Sequence, residues 1–452
     1  MVILLLVGFF ISTQVNAQLS KFYWAKNMGG TLMDEGNSIA LDLNGNVYIT
    51  GWFQGRARFG EGVRTVYLIS AGASDIFVAK LDKSGNLLWV KQMGGDLNDG
   101  GYAIAIDANC NVYTAGFFKG TVDFNPNSGA HNLTSVGDYD IFVTKLDSLG
   151  NFLWTKRMGG NSIEQLSSLV VDLSGQIYIA GYFRDVADFD PGELVFNMSA
   201  AGLDNGYDIF IVKLNESGNF IWAKQMGGTS DDLLHSLKVD IIGNIYSTGS
   251  FIGISEFDPG IDTLLLTSVS SRDIFVSKLD SSGNLIWVKQ MGGSSRDIAY
   301  SIAVDVKGNV YTAGLFSETV DFDPGTNITT LTTIGENDGF ICKLDSQGNF
   351  IWAKQLGGDS SDAVSSLVLD NSGNIYSMGW FSGSVDFDPG PEVHILESVG
   401  QDDIFISKLD SSANFIWSER MGGVLDDFGI DLLVDPSMNI YSIGYFEGVG
   451  DF

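Results

Sequence analysis

Cysteine, histidine, proline and basic residues are all scarce in this chain, and each scarcity removes a class of protein. The two cysteines, Cys110 and Cys342, are too few and too far apart for a disulfide framework. Cys342 stands where comparable segments carry Ala79 or Ser407, so it reads as a small strand residue. The three histidines, His131, His235 and His394, fall at unrelated positions and give a His-rich metal site little support. Only 25 Lys and Arg stand against 55 Asp and Glu, a formal net charge of −30. Nucleic acid, which demands clustered cations, is thereby excluded, and anionic membrane surfaces are disfavoured. Solubility, a cationic partner or metal ions remain as readings of the acidity. Zinc-protease, paired-cysteine, nucleophile-elbow and phosphate-loop motifs are missing. So is helical periodicity.

No stretch is long enough to be a transmembrane helix. Residues 2–11 form the longest apolar run, too short to span a bilayer. Val15-Asn16-Ala17 follows, and the pattern reads as a signal peptide over residues 1–17 that ends before Gln18, although no basic residue precedes the apolar run. The expectation is export, to the cell surface or the extracellular space.

What is abundant is glycine, 56 residues against 7 prolines, as suits many tight turns. Seven Gly-Gly pairs begin at Gly29, Gly94, Gly159, Gly227, Gly292, Gly357 and Gly422, 65 residues apart except for one step of 68. The three extra residues fall within residues 200–206, just before a strand. A tryptophan precedes every pair at a fixed distance, from Trp24 to Trp417. Each unit contains four short β-type segments. Ser301-Ile302-Ala303-Val304 is apolar enough for burial on both faces, and Asp305 to Asn309 turns it into Val310-Tyr311-Thr312-Ala313-Gly314. Asp273-Ile274-Phe275-Val276-Ser277-Lys278-Leu279 is the third segment, and a second such turn, Asp280 to Asn284, leads to Leu285-Ile286-Trp287-Val288-Lys289. The Asn-Gly chemistry of these turns predicts two-residue hairpins.

Four antiparallel strands per unit, repeated about seven times, describe an all-β fold: a β-propeller, a single domain over residues 18–452 with seven four-stranded blades. Radial stacking explains strands that are apolar on both sides. The mature chain opens on a fourth segment, Phe22 to Lys26, and stops at Asp451-Phe452, partway into a loop. The N-terminal segment is therefore expected to be the outer strand of the last blade. That blade is incomplete at the C-terminus, its third strand expected beyond residue 452, and its open edge is an aggregation risk.

The run Asp-x-Phe-Val-x-Lys-Leu-Asp, then Gly-Asn-x-x-Trp, a Gly-Gly pair and Asp-x-x-Gly-Asn-x-Tyr-x-x-Gly resembles the SBBP type of bacterial β-propeller repeat, from Trp24 to Gly444. The resemblance implies a bacterial protein at the surface or outside the cell. It transfers no catalytic residues. This chain departs from the shorter family repeats by a long excursion between second and third strands that contains Phe-Asp-Pro-Gly.

Strand alternation puts the Asp-x-x-Gly-Asn turns on one face, and the post-Gly-Gly loops and long excursions on the other. An acidic residue occupies the fourth place after every Gly-Gly pair: Asp34, Asp99, Glu164, Asp232, Asp297, Asp362 and Asp427. Its expected work is to satisfy backbone N–H groups between blades. The excursions add Asp188 with Asp190, Asp321 with Asp323, and Asp386 with Asp388. These six are calcium candidates, since hard cations prefer oxygen ligands, but Asp-Pro-Gly is also a ready turn capped by its own aspartate. No other cofactor is expected. Trp287 and Lys289 read as an outer-strand pair in which the lysine covers the ring, with sugar binding as the alternative. The eight arginines show no converging arrangement, and the unit-specific residues Glu164, Arg296 and His235 read as scattered. The functional expectation is a non-enzymatic binding or structural scaffold with a protein or glycan ligand on the acidic loop face. The alternatives are a secreted carbohydrate-active enzyme of propeller fold and a calcium-dependent adhesive module.

Overall fold

The computed structural model describes residues 2–9, 21–202, 206–260 and 262–451. The expected cleavage site at Val15-Asn16-Ala17 and the centre of the inserted loop, 203–205, lie outside the described residues. The chain is a β-propeller. Unit two shows the plan: an innermost strand Gly100–Ile106, a second strand Val112–Phe118, a third Asp140–Leu146 and an outer strand Phe152–Gly160, all antiparallel. The innermost strands of units one to seven begin at Asp34, Gly100, Glu164, Asp232, Ile298, Asp362 and Asp427. Each packs against the next, and the seventh returns to the first, so the ring closes. Ser38 Oγ and the Ile39 N–H both donate to Asp431 across that closure, each at 3.1 Å.

The third strands are buried on both faces, Ile76, Phe77 and Val78 all being fully enclosed, because blades cover them on either side. The Trp residues join neighbours: Trp89 Nε1 donates to Ser148 O of the next unit's outer turn, as Trp287 does to Ser346 O, at 3.3 and 3.2 Å. The lysine–ring contacts fall elsewhere than expected. Lys278 of the third strand lies over Tyr246 of the second, 4.9 Å from its centroid, and the same pairing joins Lys80 to Tyr48 and Lys408 to Tyr376.

The turns differ from the two-residue hairpins expected. Val304 pairs with Val310, so five residues, 305–309, make the reversal. Asp305 Oδ1 accepts the N–H groups of Lys307 and Asn309 at 2.8 and 2.9 Å, and Gly308 N–H closes on Asp305 O at 2.9 Å. The aspartate thus builds a longer, capped turn in which only the glycine takes a positive φ, +80°.

The long excursions also have a role not foreseen. Thr121–Asp123 and Asn132–Thr134 form a small hairpin that pairs with Gly94 and Gly95 of the preceding unit. Each such excursion therefore extends its neighbour's sheet at the rim. Phe124, Phe189, Phe257, Phe322 and Phe387 of the excursions are buried in the seams shared with the previous blade, and Phe124 meets Phe118 and Phe142 of its own unit at 5.2 and 4.9 Å between centroids. Both glycines of the pair are explained by this geometry. A β-carbon on Gly95 would lie 2.2 Å from Thr121 O, and one on Gly94 2.2 Å from the Asp75 carboxyl carbon.

In the seventh unit the third place is occupied by Val2–Phe9, between Asn439–Phe446 and Lys21–Met28. The outer strand there is the N-terminal segment, as expected, whereas the third strand comes from the apolar run rather than from beyond residue 452. It is an imperfect copy. Val7 stands opposite Tyr441, where the other units place a lysine, and Val2 opposite Phe446, where they place an aspartate.

Candidate functional site

Every innermost strand carries a β-bulge at one place. In unit four the register runs from Leu234 opposite Gly249 to Ser236 opposite Thr248, leaving His235 as the extra residue. The same slip leaves Asn37, Tyr102, Ser167, Tyr300, Ser365 and Ile430 unpaired in the other units. A bulge re-aims a side chain out of the ladder, and all seven line the axial cavity of about 1470 Å³. Below them Ser38, Ser168, Ser236, Ser301 and Ser366 line the wall, with Asp431 at the corresponding place in unit seven. Asp431 also accepts the Leu432 N–H at 2.9 Å; burial raises its pKa, with Lys238 opposing.

The mouth on the loop face is aromatic on one side. Trp380 meets Phe428 at 5.7 Å between centroids, and Phe428 meets Tyr445 at 5.1 Å. Tyr102, Phe117 and Tyr139 continue the series at 5.4 and 5.0 Å, then Tyr182 and Tyr207 at 5.0 Å. Trp52, Phe117, Tyr182, Trp380 and Tyr445 share one register position, the residue after a fixed glycine of the second strand; Ser250 and Leu315 hold it in units four and five. Polar groups lie between the rings: the Tyr182 hydroxyl donates to Gln165, and Glu35 accepts from the Trp52 indole. Burial raises the Glu35 pKa.

Units four and five supply the other side. His235 packs edge-on against Tyr300 at 5.4 Å, and burial, with the charges of Arg272 and Arg296, drives its pKa down to about 4. Arg272 Nη2 donates to Asp231 at 2.9 Å, whereas its Nη1 and the Nε2 of His235 are shielded from solvent with no hydrogen-bond partner. Arg296 also hydrogen-bonds Tyr300. The scattered residues His235 and Arg296 are thus brought together, and two of the eight arginines converge there, contrary to the sequence reading. Glu164 stands apart, in the ring of acids described next.

That ring does the backbone work expected of it. Asp34, Asp99, Glu164, Asp232, Asp297, Asp362 and Asp427 are buried, and each accepts the N–H of the second glycine of its pair at 2.6–2.9 Å. Burial, reinforced by the third-strand aspartate of the preceding unit, lifts Asp99, Asp297 and Asp362 to about 7 and Asp232 to about 8. Glu164 rises to about 8 for the same reasons.

The six calcium candidates serve turns. Asp188 Oδ1 accepts from Asp190 N and Phe196 N, Asp321 from Asp323 N and Thr329 N, and Asp386 from Asp388 N and His394 N, all within 3.1 Å. Asp190, Asp323 and Asp388 each cap the glycine two residues on at 2.7–2.8 Å. They belong to the rim hairpins, beyond the outer strands and away from the mouth. Among the described residues, no group of three or more His, Cys, Asp or Glu is placed to hold a metal ion.

The SBBP β-propeller repeat family matches this sequence at residues 24–52, 286–315 and 351–380. The chain carries SBBP-type repeats at these three places. Each matched segment runs from an outer strand through the bulge region to the register position of the aromatic belt, which places the family pattern on the frame of this propeller. An uncharacterized WD repeat-containing protein, L264 of Acanthamoeba polyphaga mimivirus, is 22% identical over 94% of this chain and 36% of its own length. The regulatory protein FlaEY of Caulobacter vibrioides is 22% identical over 78% of this chain and 36% of its own. The chain spans about a third of the length of these curated relatives. Among solved structures, Sqt1 from Chaetomium thermophilum aligns over 93% of this chain and 98% of that one, at 8% identity and a TM-score of 0.44.

Proposed function

We propose that this SBBP propeller is an exported, non-enzymatic binding scaffold whose ligand, a glycan, seats in the loop-face mouth of the axial cavity. One observation carries the reading. The frame positions repeat from unit to unit, but the seven bulge positions that face the cavity hold Asn, Tyr, Ser, His, Tyr, Ser and Ile. A structural tile has no need to vary there. The half-exposed rings around those positions offer flat apolar faces beside hydrogen-bonding side chains, the usual make-up of a saccharide site. Export rests on the apolar run and the small residues at Val15-Asn16-Ala17. A non-catalytic role is supported by the engagement of the nearby carboxylates: Asp231 is held by Arg272 and Glu35 by Trp52.

The test is calorimetric titration with a panel of neutral and acidic oligosaccharides, followed by Tyr102→Ala and Phe428→Ala. Both variants are expected to weaken binding about tenfold or more, with ligand recovered intact by mass spectrometry. No saccharide binding, or cleavage of the ligand, overturns the reading.

A further inference from the structure

Resting on that reading, we propose that the ligand is an acidic saccharide, and that its carboxylate docks between Arg272 and Arg296 at units four and five. Arg272 lies within the long third strand of its unit, Leu265–Leu279, directly before Asp273, and Arg296 directly precedes Asp297, just ahead of the innermost strand of the next unit, Ile298–Val304. At the place of Arg272 the other units carry Ser74, Tyr139, Tyr207, Asn337 and Asp402; at that of Arg296, Met33, Asn98, Ile163, Asp231, Ser361 and Asp426. The two cations are therefore particular to this sector of the ring. They flank Tyr300 and His235, bulge residues that both line the cavity.

Polar atoms there are under-used. Arg272 spends Nη2 on Asp231 but leaves Nη1 without a partner, and His235 Nε2 is likewise unpaired, both shielded from water. A buried donor left unpaired is costly, and a ligand oxygen is the natural means of satisfying it. The guanidinium fork matches a planar carboxylate, in charge and in shape. In a molecule of net charge −30, a paired-arginine sector is a local reversal that selects where an anion is received. The aromatic series begins next to it. Tyr182 feels the Arg272 charge, and Arg184 stacks on Tyr207 at 3.8 Å, so sugar rings extending from an anchored carboxylate meet flat faces at once.

The test uses the full chain at physiological salt. Oligogalacturonate, oligomannuronate, hyaluronan oligosaccharides and sialyllactose are titrated beside their methyl esters. At least one acid is expected to bind tenfold or more tightly than its ester. Arg272→Gln and Arg296→Gln are each expected to erase that preference while leaving the circular dichroism spectrum unchanged. Equal binding of acid and ester, or variants that keep the preference, overturns the carboxylate seat and leaves the mouth as the glycan site. A sulfated oligosaccharide or a phosphopeptide that binds more tightly than every carboxylate also overturns it. Failure of all saccharides removes both proposals together.

Discussion

At the scale of single residues, the turns expose where the repeat is imperfect. Cys110, Ala413 and Met438 occupy the glycine place of the Asp-capped turn and take φ of +60°, +63° and +66°. A side chain in the left-handed region costs about 1 kcal/mol. Cys110→Gly and Met438→Gly are each expected to stabilise the protein by about that amount, seen as a higher thermal midpoint in calorimetry. Ala413→Gly gains less, because its methyl is buried in the core of unit six. A lower midpoint for both of the first two would contradict the account of the turn. The mouth shows the reverse case, where departures from the repeat gather instead of scattering.

At the scale of elements, the paired acids set the response to pH. Asp99, Glu164, Asp232, Asp297 and Asp362 have folded pKa values of about 7 or 8, against about 4 when unfolded. A carboxyl raised on folding holds its proton more tightly in the native state. Its contribution is full below the unfolded value and is lost as pH climbs through the folded one. The turn aspartates Asp82, Asp280, Asp345 and Asp410 behave oppositely: burial acts to raise them, but hydrogen bonds from the turn outweigh it and hold them low. Their contribution disappears in strong acid. The thermal midpoint is therefore expected to rise from pH 8 towards pH 5 and to fall again below about pH 4, followed by scanning fluorimetry. Asp99→Asn with Asp297→Asn should flatten the upper limb only. A second element, the rim hairpin, is checked by Gly95→Ala, whose methyl collides with Thr121 O; a loss of about 3 kcal/mol in urea titration is expected.

These elements also show what could be read from the sequence. The strands, the unit length and the acid ring were legible because they depend on local turn chemistry and a strict period. The rim hairpins were not, since their pairing joins one unit to another and Asp-Pro-Gly looks like an ordinary loop. The cavity lining was hidden for a different reason: a bulge breaks the alternation that sequence reading relies on, so Tyr102 and His235 looked like strand residues of no special direction. The one available signal was the position after the fixed glycine, aromatic in Trp52, Phe117, Tyr182, Trp380 and Tyr445. Arg272 and Arg296 come from different units, and only folding puts them together.

At the scale of the whole molecule, the same apolar residues are expected as a leader and placed as a strand. Removing residues 1–17 leaves Asn439–Phe446 and Lys21–Met28 with a vacant place between them. That truncation is expected to lower the thermal midpoint and to promote concentration-dependent association, read by light scattering. An unchanged, monomeric protein would show that Val2–Phe9 does not hold the seventh unit together. N-terminal sequencing of exported protein separates the two roles, since a start at Gln18 vacates the place.

The rim hairpins have one more consequence. Because each 65-residue parcel of sequence sends its middle excursion onto the preceding sheet before completing its own, a duplicated or deleted parcel carries with it the cover its neighbour requires. Rings of this type can gain or lose members by unequal exchange between gene copies without baring an outer strand. The interlocking that binds adjacent sheets is thus also what lets their number change.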